Sequence, residues 1–212
     1  MFDCDGLLLE TESRWTIAEE VLCDRWGVAF SMELKRRLLG THLDRAGEIL
    51  AGWFRKSADE APAMADELIG AYRDAIDEHG VEPMPGALEL VTSLAGRLPI
   101  AVASNTNIDD TQRVLARSAL PDGVFAAVVC AGGSITPKPA PDVYLAACAA
   151  LDCDPARTVA FEDSPVGTQA AAAAGLVVVG VPSTPGVALD AHVVIMSLAQ
   201  VDPARLIHGR IG

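Results

Sequence analysis

The sequence predicts an α/β protein in which a Rossmann-like parallel sheet carries an inserted all-helical domain. From about residue 13 to 82 the apolar residues recur with the 3.6-residue period of helices. Beyond residue 83 short apolar runs alternate with helical patterns, which is typical of parallel strands joined by right-handed helical crossovers. The predicted sheet core is therefore 1–12 together with 83–212, and the predicted helical domain is 13–82.

The helical domain is divided into four predicted helices by residues that start or end a helix. The first helix begins near Arg14, with Thr11 or Ser13 as its N-cap, and Gly27 ends it. The other three are predicted from Ser31 to Gly40, from about 42 to 54, and from about 60 to 79, before Gly80. The segment Glu82-Pro83-Met84-Pro85-Gly86 then marks the boundary, because proline and glycine interrupt regular structure.

Eight further elements are predicted in the sheet core. They are helices at 87–96, 108–117, 141–150 and 165–174, and strands at 100–103, 125–130, 158–161 and 176–181. Another strand is expected at the start of the sequence, where only Met1 and Phe2 precede Asp3. Since a buried strand usually has about five residues or more, we expect this first strand to be clipped.

The composition favours a cytoplasmic protein that binds neither nucleic acid nor a membrane. The net charge of −13 repels both kinds of polyanion, and no cluster of lysine and arginine offsets it locally. No apolar run reaches the roughly 18 residues of a membrane span, and the first residues do not resemble a signal peptide. A phosphorylated substrate would also be repelled, so its binding site must supply positive charge of its own.

The five cysteines are interpreted as reduced thiols of a cytoplasmic protein. Their number is odd, and no Cys-x-x-Cys spacing occurs among them. Cys4 lies between two aspartates, but alternation along a strand turns its side chain away from them. We therefore expect Cys4 to pack in the core.

Asp3 and Asp5 are the first candidate functional residues. They are two positions apart at the end of an apolar run, so in an extended segment both carboxylates point the same way. A cation or a shared proton would relieve their repulsion, and Mg²⁺ prefers such oxygen ligands. Gly6 allows the chain to turn off the strand. A solvated turn is the alternative interpretation.

Polar side chains also follow three later strands, at the edge where ligands bind in parallel sheets. They are Ser104 and Asn105, Lys138, and Glu162 and Asp163. Each has a simpler interpretation as a helix cap, a solvated lysine or a capping turn. Because four strand ends carry such residues, a common pocket is the better interpretation.

This combination of groups suits phosphoryl transfer to an aspartate. A carboxylate forms an aspartyl-phosphate, while Mg²⁺ neutralises the nucleophile and the phosphate oxygens. A lysine with hydroxyl or backbone donors stabilises charge on the transferring group. A second carboxylic acid protonates the leaving oxygen and then deprotonates the attacking water.

The motifs, in this order, resemble those of the haloacid dehalogenase superfamily of phosphohydrolases. They are FDCDGLLLETE at 2–12, ASN at 103–105, KPAPD at 138–142 and FEDSPVGTQAAAAAG at 161–175. Within the superfamily, the chain is similar to the branch that contains β-phosphoglucomutase-like proteins and sugar-phosphate phosphatases. The resemblance covers essentially the whole chain, and it implies that the inserted helices form a C1-type cap, which closes over the site and selects the substrate.

The resemblance also implies a function for each residue of the core site. The catalytic residues would be Asp3 as the nucleophile, Asp5 as the acid and base, and Lys138. The phosphoryl oxygens would be held by Ser104, Asn105, Lys138 and Gly6. The Mg²⁺ ligands would be Asp3, Asp163, the backbone carbonyl of Asp5 and, as a ligand or a support, Glu162.

In the helical domain the candidate substrate contacts are Trp15, Thr41 and His42. Trp15 is alternatively part of the hydrophobic core of that domain, and His42 a solvated loop residue. The mutases of the branch carry a histidine where this chain has Trp15. They carry a lysine and an arginine where this chain has Leu39 and Leu43.

The predicted function is Mg²⁺-dependent hydrolysis of a small phosphorylated metabolite, a sugar or polyol phosphate, by a monomer or weak dimer. A phosphomutase and a non-catalytic ligand-binding protein on the same fold are the alternatives. A 2-haloacid dehalogenase is disfavoured, because the resemblance assigns Asp5 to phosphoryl chemistry.

Overall fold

The computed structural model describes residues 1–38, 41, 43–184 and 186–209 of the 212-residue chain. The chain forms two compact units. One unit combines Met1–Glu10 with Val81–Gly212, and the other is Thr11–Gly80. The predicted end of the second helix at Gly40 lies outside the described residues.

In its described part, the unit Thr11–Gly80 contains four α-helices. They are α1 (Glu12–Arg25), α2 (Met32–Leu38), α3 (Leu43–Trp53) and α4 (Ala61–His79). Helix α4 buries Met64, Leu68, Tyr72 and Ile76, and this spacing of four residues produces a single apolar face. Helix α4 ends at Gly80, which has a φ of 65°.

The helix starts in this unit agree only in part with the predicted capping residues. The Ser31 hydroxyl accepts a hydrogen bond from the Leu34 N–H at 3.2 Å, as expected for the start of α2. Thr11 occupies the N-cap position of α1, but its side chain makes no capping hydrogen bond. The prediction of Thr11 as the N-cap is therefore correct in position, although its side chain does not bond the helix, and Ser13 lies within α1.

The other unit is organised around a parallel sheet. Its strands are β1 (Ala101–Ser104), β2 (Ala127–Cys130), β3 (Val159–Glu162), β4 (Val177–Gly180) and β5 (Val193–Val194). Strand β1 pairs with β2, and β4 lies between β3 and β5. Phe2 forms parallel bridges to both Val102 and Phe161, so it connects the two groups of strands. The order across the sheet is therefore β2, β1, Phe2, β3, β4 and β5.

Phe2 stands in the middle of the sheet in place of a longer first strand. Its side chain is buried, and its ring stacks on Phe161 with centroids 5.0 Å apart. The Phe2 N–H donates to Ala101, and the Asp3 N–H donates to Phe161. These bonds fix the position at which Asp3 leaves the sheet.

Among the residues that the structure describes, five α-helices accompany the sheet. They are α5 (Ala87–Leu94), α6 (Ile108–Ala116), α7 (Asp142–Ala150), α8 (Pro165–Ala173) and α9 (Pro203–Ile207). Helices α7 and α8 share a buried apolar cluster with the sheet, and small residues such as Ala147, Ala160 and Ala170 contribute to it. The small side chains allow the helix and sheet backbones to approach closely.

The Rossmann-like α/β fold predicted from the sequence is confirmed, but two short elements were not predicted. Strand β5 has two residues and α9 has five, so neither is long enough to produce a recognisable period. The alternative interpretation of Ser104 and Asn105 as a helix cap does not apply to α6, because its N-cap is Asn107, which accepts the capping bond from the Asp110 N–H. Among the described residues, no helix is long and apolar enough to cross a membrane.

Candidate active site

The carboxyl ends of the central strands place the predicted core residues along one edge of the sheet. Ser104 ends β1 and pairs with Cys130 at the end of β2, while Glu162 ends β3 and pairs with Gly180. Asp3 follows Phe2 between these pairs. The parallel register therefore brings distant segments of the sequence to a common site.

Lys138 connects two carboxylates of this site. Its Nζ lies 2.5 Å from Asp3 Oδ1 and 2.6 Å from Glu162 Oε1, and all three side chains are buried. Burial lowers the pKa of Lys138, but the charges of Asp3 and Glu162 outweigh it and raise the pKa above its ordinary value. The lysine is therefore a fixed cation in a site with excess negative charge.

Asn105 holds the main chain of Lys138. The Asn105 Oδ1 accepts from the Lys138 N–H at 2.7 Å, and the Asn105 Nδ2 donates to the Lys138 carbonyl at 3.2 Å. This use of the Asn105 amide differs from the expected contact with phosphate, because both of its polar atoms are already bonded to Lys138. Direct phosphate binding by Asn105 stays a prediction.

Glu162 is fully buried and tightly surrounded. Its Oε1 accepts from the Lys138 ammonium and, at 2.5 Å, from the Tyr144 hydroxyl. A Cβ at Gly167 would overlap the Glu162 carboxylate, so a glycine in the first turn of α8 is required by this close approach. Burial and the charge of Glu162 raise the pKa of Tyr144 well above its usual range, so Tyr144 is the donor in this bond.

Asp163 lies beside the turn that follows Asp3. Its Oδ2 accepts from the Ser183 hydroxyl at 2.6 Å. A Cβ at Gly6 would lie 2.5 Å from the same oxygen, so glycine is needed at position 6 both for this contact and for its φ of +79°. Gly6 therefore shapes the wall of the site, and its predicted contact with phosphate stays a prediction.

Three of these carboxylates form a cluster that could hold a metal ion. Asp3, Glu162 and Asp163 each offer an oxygen, and these oxygens all lie within 4.8 Å of one another. Burial and the charge of Asp3 raise the pKa of Asp163 to about 7. Burial likewise raises the pKa of Glu162 to about 7, although Lys138 opposes the shift.

The chemistry of the cluster fits a hard divalent cation. Three carboxylates share the cluster with one ammonium group, so the raised pKa values of Glu162 and Asp163 reflect burial and negative charge that Lys138 does not fully balance. A bound cation would relieve the repulsion and return the carboxylates to their ionised form.

Asp5 is directed towards the end of β1. Its Oδ2 accepts a hydrogen bond from the Thr106 hydroxyl at 2.8 Å. Ser104 is buried, and its hydroxyl accepts a hydrogen bond from the Thr106 N–H at 3.0 Å. Cys4, between the two aspartates, is fully buried, and burial raises the pKa of its thiol well above its usual value.

The predicted contacts in the helical unit have partners within that unit. Trp15 is half-buried and stacks on Tyr72 with ring centroids 3.8 Å apart. The Thr41 hydroxyl donates to the Leu38 carbonyl at 2.7 Å, at the end of α2. His42 and Leu39 lie outside the described residues, so their functions stay predictions.

Comparison with known proteins identifies the family. Residues 1–175 match the family of haloacid dehalogenase-like hydrolases. The chain belongs to this family. The resemblance inferred from the motifs is therefore confirmed, and the family match covers both the aspartate segment and the segment that contains Glu162 and Asp163.

Curated relatives place the chain among the phosphatases of this family. It is 32% identical to fructose-1-phosphate phosphatase YqaB of Escherichia coli, over 83% of this chain and 92% of the relative. It is 34% identical to protein CbbY of Rhodobacter capsulatus, over 86% of this chain and 84% of the relative. The expectation of a haloacid dehalogenase-like phosphatase is confirmed at this level.

A solved structure supports the fold. The crystal structure of CbbY from Rhodobacter sphaeroides in complex with phosphate superposes with a TM-score of 0.77 and 26% identity. The superposition covers 94% of this chain and 93% of the other. Nearly all of this chain therefore has the fold of a solved structure that resembles it.

Sequence reasoning missed three residues that contact the site. Tyr144 bonds Glu162, Ser183 bonds Asp163, and Thr106 bonds Asp5. Ser183 and Thr106 follow strand ends, which is a usable signal. Tyr144 gives no such signal, because it lies in the first turn of α7, where an aromatic residue fits the apolar pattern.

Proposed function

We propose that this enzyme hydrolyses a small phosphomonoester, a sugar or polyol phosphate, with Mg²⁺ and through an aspartyl-phosphate on Asp3. The observation that carries the proposal is the group around Asp3. Its carboxylate lies 2.5 Å from the Lys138 ammonium and within 4.8 Å of oxygens of Glu162 and Asp163. A nucleophile, a phosphate-binding cation and candidate metal ligands are thus adjacent.

The first half of the proposed reaction forms the aspartyl-phosphate. A carboxylate oxygen of Asp3 attacks phosphorus, and the bond from phosphorus to the ester oxygen breaks. Asp5 donates a proton to the departing oxygen, so the substrate leaves as a neutral alcohol. Lys138 and Ser104 stabilise the negative charge on the phosphoryl oxygens.

The second half releases inorganic phosphate. Asp5, now ionised, takes a proton from a water molecule as the water oxygen attacks phosphorus. The bond between phosphorus and Asp3 breaks, and the Asp3 carboxylate is restored. Thr106 holds Asp5 by its 2.8 Å hydrogen bond during both proton transfers.

The metal would be held by Asp3, Asp163, the backbone carbonyl of Asp5 and Glu162. Mg²⁺ bound there would neutralise charge on the phosphoryl group and on the attacking carboxylate. The number of carboxylates supports a divalent cation, since Lys138 alone does not balance them. The helical unit Thr11–Gly80 is proposed as the cap that selects the substrate.

The substrate class is proposed from the relatives and from the charge of the chain. The names of the matched proteins include a fructose-1-phosphate phosphatase and (DL)-glycerol-3-phosphatase 1, and a related CbbY structure contains phosphate. With a net charge of −13, a substrate that carries a single phosphate and an uncharged remainder is favoured.

The proposal is tested by measuring phosphate release from a panel of sugar and polyol phosphates and from an aryl phosphate. Release is expected in Mg²⁺ and not in a chelator. Asp3→Asn keeps the size of the side chain but removes the nucleophile, so turnover should fall to background while the circular dichroism spectrum is unchanged. Substantial hydrolysis by a clean Asp3→Asn preparation would falsify the nucleophile assignment.

A further inference from the structure

Tyr144 is a buried polar residue that the proposed reaction does not use. It lies on α7 within the apolar cluster formed with the sheet, and its relative exposure is 0%. A buried tyrosine hydroxyl needs a hydrogen-bond partner, and Tyr144 donates to Glu162 Oε1 at 2.5 Å. Tyr144, on the apolar face of α7, thus places its hydroxyl group at the edge of the candidate active site.

Glu162 Oε1 is shared between two donors. The Tyr144 hydroxyl is one donor, and the Lys138 ammonium, 2.6 Å from Oε1, is the other. Because Lys138 also bonds Asp3, a continuous set of hydrogen bonds runs from Tyr144 through Glu162 and Lys138 to Asp3. The Lys138 Nζ also lies 5.1 Å from the centroid of the Tyr144 ring, within the range of a cation–π interaction. Tyr144 therefore contacts both partners of the buried ion pair.

The Glu162 carboxylate has little freedom to move on its other side. The Cα of Gly167 lies so close that a Cβ there would overlap the carboxylate, and the Ser164 hydroxyl is 3.5 Å from Oε2. The orientation of Oε1 consequently depends on the two donors that reach it. Loss of one donor weakens the hydrogen-bond network that fixes this buried carboxylate.

We propose that Tyr144 is a positioning residue, which fixes the Glu162 carboxylate so that the Lys138 ammonium stays directed at Asp3 and the bound phosphoryl group. The inference rests on the proposed function, since it requires Lys138 to bind phosphate. The contacts of Tyr144 in the site are with Glu162 and Lys138. Its effect on the reaction must pass through Lys138.

The first test is Tyr144→Phe, which removes a single oxygen and keeps the ring. Loss of one hydrogen bond to a charged group predicts a fall of about tenfold in kcat/KM for an aryl phosphate. The dissociation constant of inorganic phosphate, measured by calorimetry with Mg²⁺ present, should rise by a similar factor. The matched control is Tyr72→Phe, which removes the same atom from the chain's other tyrosine, in the helical unit, and should leave the dissociation constant of inorganic phosphate unchanged.

The second test is a double-mutant cycle with Lys138→Ala, read by phosphate binding so that it does not depend on residual activity. If Tyr144 acts through Lys138, then adding Tyr144→Phe to Lys138→Ala should change phosphate affinity by less than about twofold. If Tyr144→Phe weakens phosphate binding by the same factor in the parent and in Lys138→Ala, the inference is overturned. Such equal effects are expected when the substitution only lowers the stability of the protein. Thermal unfolding of each variant confirms that it is folded.

The outcomes separate this inference from the proposed function. A parent protein that neither hydrolyses the aryl phosphate nor binds phosphate contradicts the proposed function. A parent that does both, with a Tyr144→Phe variant indistinguishable from it, contradicts only the assignment of Tyr144.

Discussion

Asp163 illustrates how a single residue depends on its immediate neighbours. Its carboxylate accepts from Ser183, lies against Gly6, and belongs to the cluster with Asp3 and Glu162. Burial and the charge of Asp3 raise its pKa to about 7, so a cation at this cluster stabilises its ionised form. In the proposed function, metal binding and the ionisation of this carboxylate would therefore be coupled.

The first prediction concerns metal affinity. Asp163→Asn removes a charged ligand, so the Mg²⁺ concentration for half-maximal activity should rise at least about tenfold. Lys138→Ala should lower the rate and leave that Mg²⁺ requirement within about twofold, because Lys138 is proposed to bind phosphate and is not one of the proposed metal ligands. The two variants are compared by Mg²⁺ titration of phosphate release. Identical titrations for Asp163→Asn and the parent would contradict the ligand assignment.

The second prediction compares two glycines inside helices. Gly167→Ala places a methyl group on the Glu162 carboxylate, which cannot move away because Lys138 and Tyr144 hold it. Overpacking of this kind should destabilise the protein by about 1–3 kcal/mol. Gly70→Ala is the matched control, since a Cβ there meets nothing within 4 Å.

For Gly70→Ala the higher helix propensity of alanine should stabilise the protein by about 0.5–1 kcal/mol. Both variants are measured by urea unfolding. Equal stability changes of the same sign at the two positions would show that the close approach at Gly167 has no energetic consequence.

At the scale of elements, an ion cluster joins α1 to α2. Lys35 of α2 lies 3.2 Å from Glu19 Oε2 and also pairs with Glu12, both of α1. Glu19 is buried, and burial raises its pKa from 4.5 to about 7, although Lys35 opposes the shift. The cost of burying this carboxylate is therefore larger than the benefit of its ion pair.

The third prediction is the pH dependence that follows. Because the folded state holds a proton on Glu19 up to a higher pH than the unfolded state, the free energy of unfolding falls as pH rises from about 4.5 to 7. The change amounts to at most roughly 3 kcal/mol. Glu19→Gln removes this titration. The free energy of unfolding of the parent, relative to that of Glu19→Gln, should therefore be higher at pH 5 than at pH 8.

Urea unfolding at the two pH values measures this difference. The control is Glu20→Gln, which changes the exposed neighbour on the same helix and should show no such difference between the two pH values. If the difference between parent and Glu19→Gln is the same at both, Glu19 does not titrate in this window and the interpretation is wrong.

At the scale of the whole molecule, charge favours hydrolysis over isomerisation. A mutase holds a second phosphate far from its nucleophile, and that phosphate carries nearly two negative charges at neutral pH. The chain has a net charge of −13, and it has uncharged Trp15 and Leu43 at positions where the resemblance implies a histidine and an arginine in the mutases. Arg45 in the same region is already paired with Glu48.

The fourth prediction is therefore that free phosphate is the main product. The enzyme is incubated with a hexose 1-phosphate and a catalytic amount of hexose bisphosphate, and products are followed by ³¹P NMR. Phosphate is expected to accumulate faster than hexose 6-phosphate. If hexose 6-phosphate accumulates faster than phosphate, the proposed hydrolase function is wrong and the enzyme is a mutase.

Local sequence signals were sufficient where one segment decides the outcome. The helices of the Thr11–Gly80 unit begin and end close to the predicted residues, since periodicity and Gly80 act over a few positions. The short β5 and α9 escaped prediction for the same reason, because two and five residues carry too little pattern.

The sequence by itself determined the fold class, the family and the strand ends that carry Asp3, Lys138, Glu162 and Asp163, because parallel strands all point their carboxyl ends to one edge. Only the tertiary structure decided how these residues are held. Lys138 meets Asp3 across 135 positions of sequence, Asn105 clamps Lys138 across 33, and Tyr144 reaches Glu162 across 18. Such contacts depend on packing between separate elements, and no local pattern of residues records which buried donor will face which carboxylate.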